Sequence, residues 1–102
     1  MKETEKEITT KVSMLREYLC LDKYCSNYVR RRGLRYCDSI IASLEIDTDD
    51  TIVATTRITS PIQYLDTVTS LAQLLLYSDY DYRNIADTLS AIAALLNLFT
   101  SF

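Results

Sequence analysis

Apolar residues recur along most of this chain at the spacing of a single helix face. Met14, Tyr18, Leu21, Cys25 and Tyr28 form the first stripe, with Ser13 placed to cap it. That helix is expected to fail near Arg32-Gly33, with Gly33 at the C′ position and the arginines at the negative helix end. Leu34, Cys37, Ile41 and Leu44 predict a second, shorter helix, and Asp47-Thr48-Asp49-Asp50 a polar break. Ser60-Pro61-Ile62-Gln63 is a strong helix start, with Ser at N-cap, Pro at N1 and Gln at N3. The stripe beyond it carries Ile62, Leu65, Thr69, Ala72 and Leu76 before Ser78-Asp79-Tyr80-Asp81 interrupts it. Ile85, Leu89, Ile92, Leu96 and Phe99 mark the last helix. Two short β-branched segments, Ile8 to Val12 and Thr51 to Ile58, read as extended. The first reads alternatively as extra helical turns.

The two halves resemble each other. Thr9-Thr10-Lys11-Val12-Ser13 lies over Thr55-Thr56-Arg57-Ile58-Thr59 at an offset of 46, which continues to Glu17-Tyr18-Leu19 over Gln63-Tyr64-Leu65. Further on the offset is 49, and Asp38-Ser39-Ile40 meets Asp87-Thr88-Leu89 near the expected starts of the second helices. The expected fold is mainly α, α+β at most, in a single domain over residues 1–102. Two similar helical-hairpin units, residues 8–46 and 54–99, are joined by a linker at 47–53 and pack about a pseudo-two-fold axis. A short β-branched strand precedes each unit if those segments are extended. A hairpin of about 45 residues cannot bury enough apolar surface to stand alone, whereas two docked hairpins can. Their seam is then the natural place for a peptide or ligand.

Composition narrows the chemistry. The 102 residues are 48% hydrophobic and 25% charged, with net charge −3, too apolar for disorder and too short for two independent cores. There is no His, so Ser-His-Asp and Cys-His catalysis and histidine metal sites are excluded. A single Gly cannot spell a glycine-rich phosphate loop. The cysteines Cys20, Cys25 and Cys37 match no zinc spacing, and an odd number of them suits reduced cytosolic thiols. One disulfide, Cys37 with Cys20 or Cys25, stays open for a hyperthermophilic source. Asp47, Asp49 and Asp50 lack the Gly and Glu of a calcium loop. Neither metal nor cofactor is expected, and no nucleophile–base pair supports an enzyme. The charged start, Met1 to Glu7, has no apolar stretch behind it, and Ile85 to Phe99 falls short of a bilayer span. A cytoplasmic location follows as the expectation.

Two clusters remain for binding. Arg30, Arg31, Arg32 and Arg35 stand with no acid between Lys23 and Asp38, close to Tyr24, Tyr28 and Tyr36. That mixture suits phosphates and stacked bases, although a net-acidic domain is unusual for nucleic acid. Eight of the aromatic residues are Tyr, a residue that suits half-wet recognition surfaces. Tyr24, Tyr36, Tyr77, Tyr80 and Tyr82 gather at the expected breaks, while Tyr18, Tyr28 and Tyr64 read as core-edge residues. The Asp79-Tyr80-Asp81-Tyr82 break opposes the arginine break in charge, so the two could attract each other within a chain or between copies.

With its TTKVS and TTRIT copies, its helix QYLDTVTSLAQLLLY and its run SDYDYRNIADTLSAIAALLNLF, the chain resembles, over its whole length, the small orphan proteins encoded by filamentous viruses of hyperthermophilic archaea. The resemblance implies a hot, intracellular host setting and a non-enzymatic role in virion assembly or host takeover. That group has no common activity, so no site residue carries over. The expected function is a protein-interaction module holding a peptide or partner segment in the groove between the units. Tyr24, Tyr36, Tyr77, Tyr80 and Tyr82 would act as anchors, with Thr55 and Thr56 also in partner contact. The expected mode is strand addition if the groove edge offers unpaired backbone, and otherwise helix-in-groove. The alternative is nucleic-acid binding through Arg30, Arg31, Arg32 and Arg35. A homo-oligomer is compatible with either.

Overall fold

The computed structural model describes residues 3–21, 25–44, 57–77 and 85–100. Four helices account for nearly all of them: α1 (Glu3–Leu19), α2 (Asn27–Leu44), α3 (Pro61–Tyr77) and α4 (Ile85–Thr100). The fold is mainly α, and no strand occurs among the described residues. Helix α1 packs on α2 and α3, and α4 packs on α2 and α3, while the pairs α1–α4 and α2–α3 do not touch among the described residues. The helices therefore stand at the corners of a square in the order α1, α2, α4, α3. Consecutive helices form two hairpins, and the hairpins dock side by side. Helices α2 and α3 stand at diagonal corners of that square.

The β-branched start of the chain is helix. Ile8, Val12, Leu15 and Leu19 fall on one face and are fully buried. The neighbouring threonines fit because the hydroxyls of Thr9 and Thr10 donate to the carbonyls of Glu5 and Lys6, each at 2.7 Å, one turn back. Helical periodicity of buried residues thus overrides β-propensity here. In consequence Ser13 is an interior residue of α1 and not its cap. The stripe expected through Tyr28 is cut: α1 stops at Leu19, and α2 begins after Ser26, whose Oγ accepts from the Val29 amide at 3.3 Å. Of the residues at 51–58, Arg57 and Ile58 are described and are neither helix nor strand. Thr55, Thr56 and the linker 47–53 lie outside the described residues. At the offset of 46, Lys11 to Ser13 are helical whereas Arg57 to Thr59 are not.

Gly33 does not end a helix. It is buried in the middle of α2, where a methyl added to it would lie 2.6 and 2.8 Å from the two Cδ atoms of Leu19. Its role is close approach of α1 and α2. An Ala in mid-helix is favoured over Gly by about 1 kcal/mol, but overpacking costs about 1–3 kcal/mol. Gly33→Ala is therefore expected to lower stability in the native background and to raise it in a Leu19→Ala background, where the methyl has room. A urea-denaturation double-mutant cycle checks this reversal of sign.

The start of α3 follows its sequence. The Gln63 amide donates to Ser60 Oγ at 3.3 Å, and Gln63 Oε1 accepts from the amide and hydroxyl of Thr59 at 2.6 and 2.8 Å. The reciprocal bond of the cap thus reaches one residue beyond Ser60. The hairpins meet on two aromatic rings. Tyr18, near the end of α1, and Tyr64, near the start of α3, lie with centroids 5.4 Å apart and are both core residues, not core-edge ones. The Tyr64 hydroxyl donates to the Leu95 carbonyl of α4 at 3.2 Å. One side chain thus ties α1, α3 and α4 together.

Cys37 sits at the centre of the same core, and Cys25 at its edge. Burial, opposed only in part by Arg16, pushes the Cys37 thiol up to about 12 from 9.0. Above pH 9 the unfolded chain releases a proton that the folded chain still holds, so stability falls as pH rises from about 9 towards 12. The Tyr64 phenol and the Cys25 thiol are also raised, chiefly by burial, and act in the same direction. A urea midpoint lower at pH 10.5 than at pH 7.5 is the expected result, and Cys37→Val should reduce the difference. In the folded protein Cys20, the exposed thiol, should alkylate first. Among the described residues all three thiols are free, and no set of His, Cys, Asp or Glu side chains could hold a metal ion. No described helix is long and apolar enough to cross a membrane.

Candidate functional site: a basic groove along α2

The early start of α2 changes the meaning of its arginines. They were expected at a negative helix end; instead Arg30, Arg31 and Arg32 lie in its first turns, where the helix end is positive. No acid stands in that first turn to compensate. Cations there are disfavoured, by about 0.3–1 kcal/mol at the very end and less one turn in. Arg31 and Arg35, four apart, and Arg32 and Arg35, three apart, add like-charge repulsion of a few tenths of a kcal/mol per pair. This arrangement does not serve the stability of α2.

Arg30 has a structural task. It is half-buried, and its Nε donates to the Leu19 carbonyl at 3.2 Å, capping the end of α1, while its guanidinium also reaches Asn27 Oδ1 at 3.2 Å. Arg31, Arg32 and Arg35 are exposed. The Arg32 guanidinium lies over the Tyr28 ring at 5.1 Å from its centroid. A hydrogen bond to the Tyr36 hydroxyl, then the phenols of Tyr28 and Tyr36, raise the pKa of Arg32 further above its usual value. Tyr28, Arg32 and Tyr36 thus form a ladder four residues per rung, which holds Arg32 in place along the helix.

Three surface recesses run into one another beside this ladder. The first, about 500 Å³, is lined by Asn27, Tyr28, Arg31, Arg32 and Arg35. The second, about 630 Å³, shares Arg31 and Arg35 with it and adds Leu34, Asp38, Ser39 and Ala42. The third, about 440 Å³, shares Ser39 and Ala42 with the second and crosses to Asp87, Ser90 and Ala91 of α4. The result is a shallow groove, basic at one end and floored by small residues at the other, opening onto the α2–α4 seam of the two hairpins. It follows α2 over some four turns, roughly 22 Å at 1.5 Å per residue. Asp38 is the one acid of α2; it lies in the middle of that helix, not at its start, and is paired with Arg16 of α1. Asp87 does occupy the first turn of α4.

The structure distributes the sequence-predicted residues unevenly. Tyr36 lines the third recess and Arg31, Arg32 and Arg35 the first. Tyr77 is 85% exposed on α3, a helix that does not touch α2. Tyr28, at 63% exposed, lies on the groove and not in the core. Tyr24, Tyr80 and Tyr82 lie outside the described residues. Sequence reasoning passed over Asn27, Ser39, Ala42, Ser90 and Ala91. The small residues Ser39, Ala42 and Ser43 were visible at helical spacing, but nothing marked the face they occupy as the outer one. No family model matches the chain, no curated protein matches it, and no solved structure matches its fold.

Proposed function

We propose that the protein is a non-enzymatic interaction module whose α2–α4 groove takes an acidic, helical segment of a partner protein. The observation that carries this reading is the continuity of the groove from three exposed arginines, set at the wrong end of their own helix, to a floor of Ser and Ala. Small residues let a second helix approach closely, and arginines give its carboxylates bidentate donors. Helix-in-groove fits better than strand addition, because the groove edges are helices whose backbone groups are already paired. A module of this kind suits a viral protein that grips a virion or host protein, as the resemblance implies. Nucleic acid is the second reading, supported by the same arginines. Against it, Tyr28 is stacked on Arg32 instead of standing free for a base, and the chain is net acidic.

Fluorescence anisotropy separates the two. A labelled amphipathic helical peptide rich in Glu and Ala should bind with modest salt dependence. Its Lys counterpart should not bind, and a single-stranded oligonucleotide of equal charge should compete poorly. Tight oligonucleotide binding that collapses steeply with salt would replace this reading with the second.

A further inference from the structure

Asp66 and Asp87 are the only charged residues of α3 and α4, whereas α1 carries seven charged residues and α2 five. Helix α3 also carries three exposed large apolar side chains: Ile62 at 79%, Leu76 at 52% and Tyr77 at 85%. Depletion of charge with exposed apolar and aromatic side chains is the composition of an interface. The pattern on α3 says what would cover it. Ile62, Asp66, Thr69, Gln73 and Leu76 follow one another at four- and three-residue steps along one face, and all are exposed.

Read from either end, this stripe runs apolar, polar, Thr, polar, apolar. Two such helices crossing antiparallel at Thr69 set Ile62 against the second copy's Leu76, and Asp66 against the second copy's Gln73. The Gln73 amide then donates to the Asp66 carboxylate, and Thr69 faces itself on the axis. The Thr69 hydroxyl already donates to the Leu65 carbonyl at 2.8 Å, so only its methyl need be covered. The two Asp66 carboxylates are offset by roughly 9 Å along the helices at 1.5 Å per residue and do not oppose each other. This is the self-complementarity that a two-fold contact requires. The face on α2 cannot associate in this way, because it would set arginine on arginine.

We propose that α3 is a self-association face, and that its occupant is a second copy of this chain packed antiparallel through the stripe centred on Thr69. The α3 stripe shares no residue with the groove, and α3 stands diagonally across from α2, so the dimer presents two grooves. This inference stands on α3 alone and is independent of what the groove binds. One pair of helices buries less than the roughly 1,200 Å² of a stable interface, so the dimer is weak.

Sedimentation equilibrium of the whole chain tests it. Between about 10 µM and about 1 mM the apparent mass should climb from 11.7 kDa towards twice that value. Ile62→Asp and Leu76→Asp should each weaken association tenfold or more at unchanged helicity, since both side chains are exposed. Arg31→Glu should leave it unchanged. In a Cys20→Ser background, Thr69→Cys should give a disulfide-linked dimer on mild oxidation, and Asp66→Cys alone should not. A mass that stays at one chain overturns the proposal. So does an association that survives both Asp variants, one that disappears with Arg31→Glu, or one in which Thr69→Cys does not cross-link.

Discussion

Tyr64→Ala is expected to lower the unfolding free energy by about 3–5 kcal/mol, the usual cost of removing a buried aromatic ring. Tyr64 is fully buried, its ring lies against Tyr18 of the other hairpin, and its hydroxyl donates to Leu95 of α4. The loss is therefore threefold: ring packing within its own hairpin, ring packing across the seam, and a hydrogen bond whose acceptor is left buried. A domain of this size has about 5–15 kcal/mol of stability in all. The variant should thus melt about 12–40 °C lower, at about 4–8 °C per kcal/mol. Tyr64→Phe keeps the ring and should cost only about 1 kcal/mol. Thermal melts by circular dichroism separate the two variants. Equal losses in both would mean that the hydroxyl bond to α4 within its own hairpin, and not the ring packed against Tyr18, carries the stability of this side chain.

The second large effect is on binding, and it moves opposite to stability. Arg31→Glu removes a guanidinium from the groove and sets a carboxylate one turn before Arg35. Within α2 this turns a repulsion into an i,i+4 attraction and lightens the positive load near the helix start. Stability should rise by a few tenths to about 1 kcal/mol. Affinity for the acidic helical peptide should fall tenfold or more, since truncating one partner of a charge pair typically costs about 2–5 kcal/mol when the pair is desolvated. Arg31→Glu combined with Arg32→Glu should abolish binding altogether. It also breaks the Tyr28–Arg32–Tyr36 ladder, so its stability gain should be smaller. Arg30→Glu is a different experiment, because Arg30 caps α1 at the Leu19 carbonyl and its loss should destabilise the α1–α2 turn. A chain that gains stability while losing function is the sign of residues placed for a ligand.

The second half of the fold was legible because local and global signals agree there. Ser60 and Pro61 fix the start of α3, the apolar stripe runs in phase with them, and Asp87 falls in the first turn of α4. In the first half they conflict. Gly33 looks like a terminator and Ser13 like a cap, but no Gly or Pro marks the true break between Leu19 and Asn27. Ser26 caps α2 without the Glu or Gln that would complete a capping box, so it gave a weak signal. Gly33 is explained only by Leu19, a contact between helices that no local pattern announces. Misplacing that one break reversed the electrostatic sense of the arginines, since the same residues are comfortable at a helix end and uncomfortable at a helix start. The arginine cluster was therefore visible from the start, while the groove it belongs to was not. Its floor joins α2 to α4, and which face of each helix turns outward depends on the square arrangement of the four.

Docking of an acidic helix into the α2–α4 groove is tested most directly by recording backbone amide shifts of the ¹⁵N-labelled chain as the Glu-rich helical peptide is added. The expected result is a connected track of perturbed amides through Arg31, Arg35, Ser39 and Ala42 to Ser90 and Ala91, with Thr69 and Gln73 on the opposite corner unmoved. Shifts confined to Arg31, Arg32 and Arg35, with the Ser and Ala floor silent, would mean that the arginines attract acids without a groove to seat them.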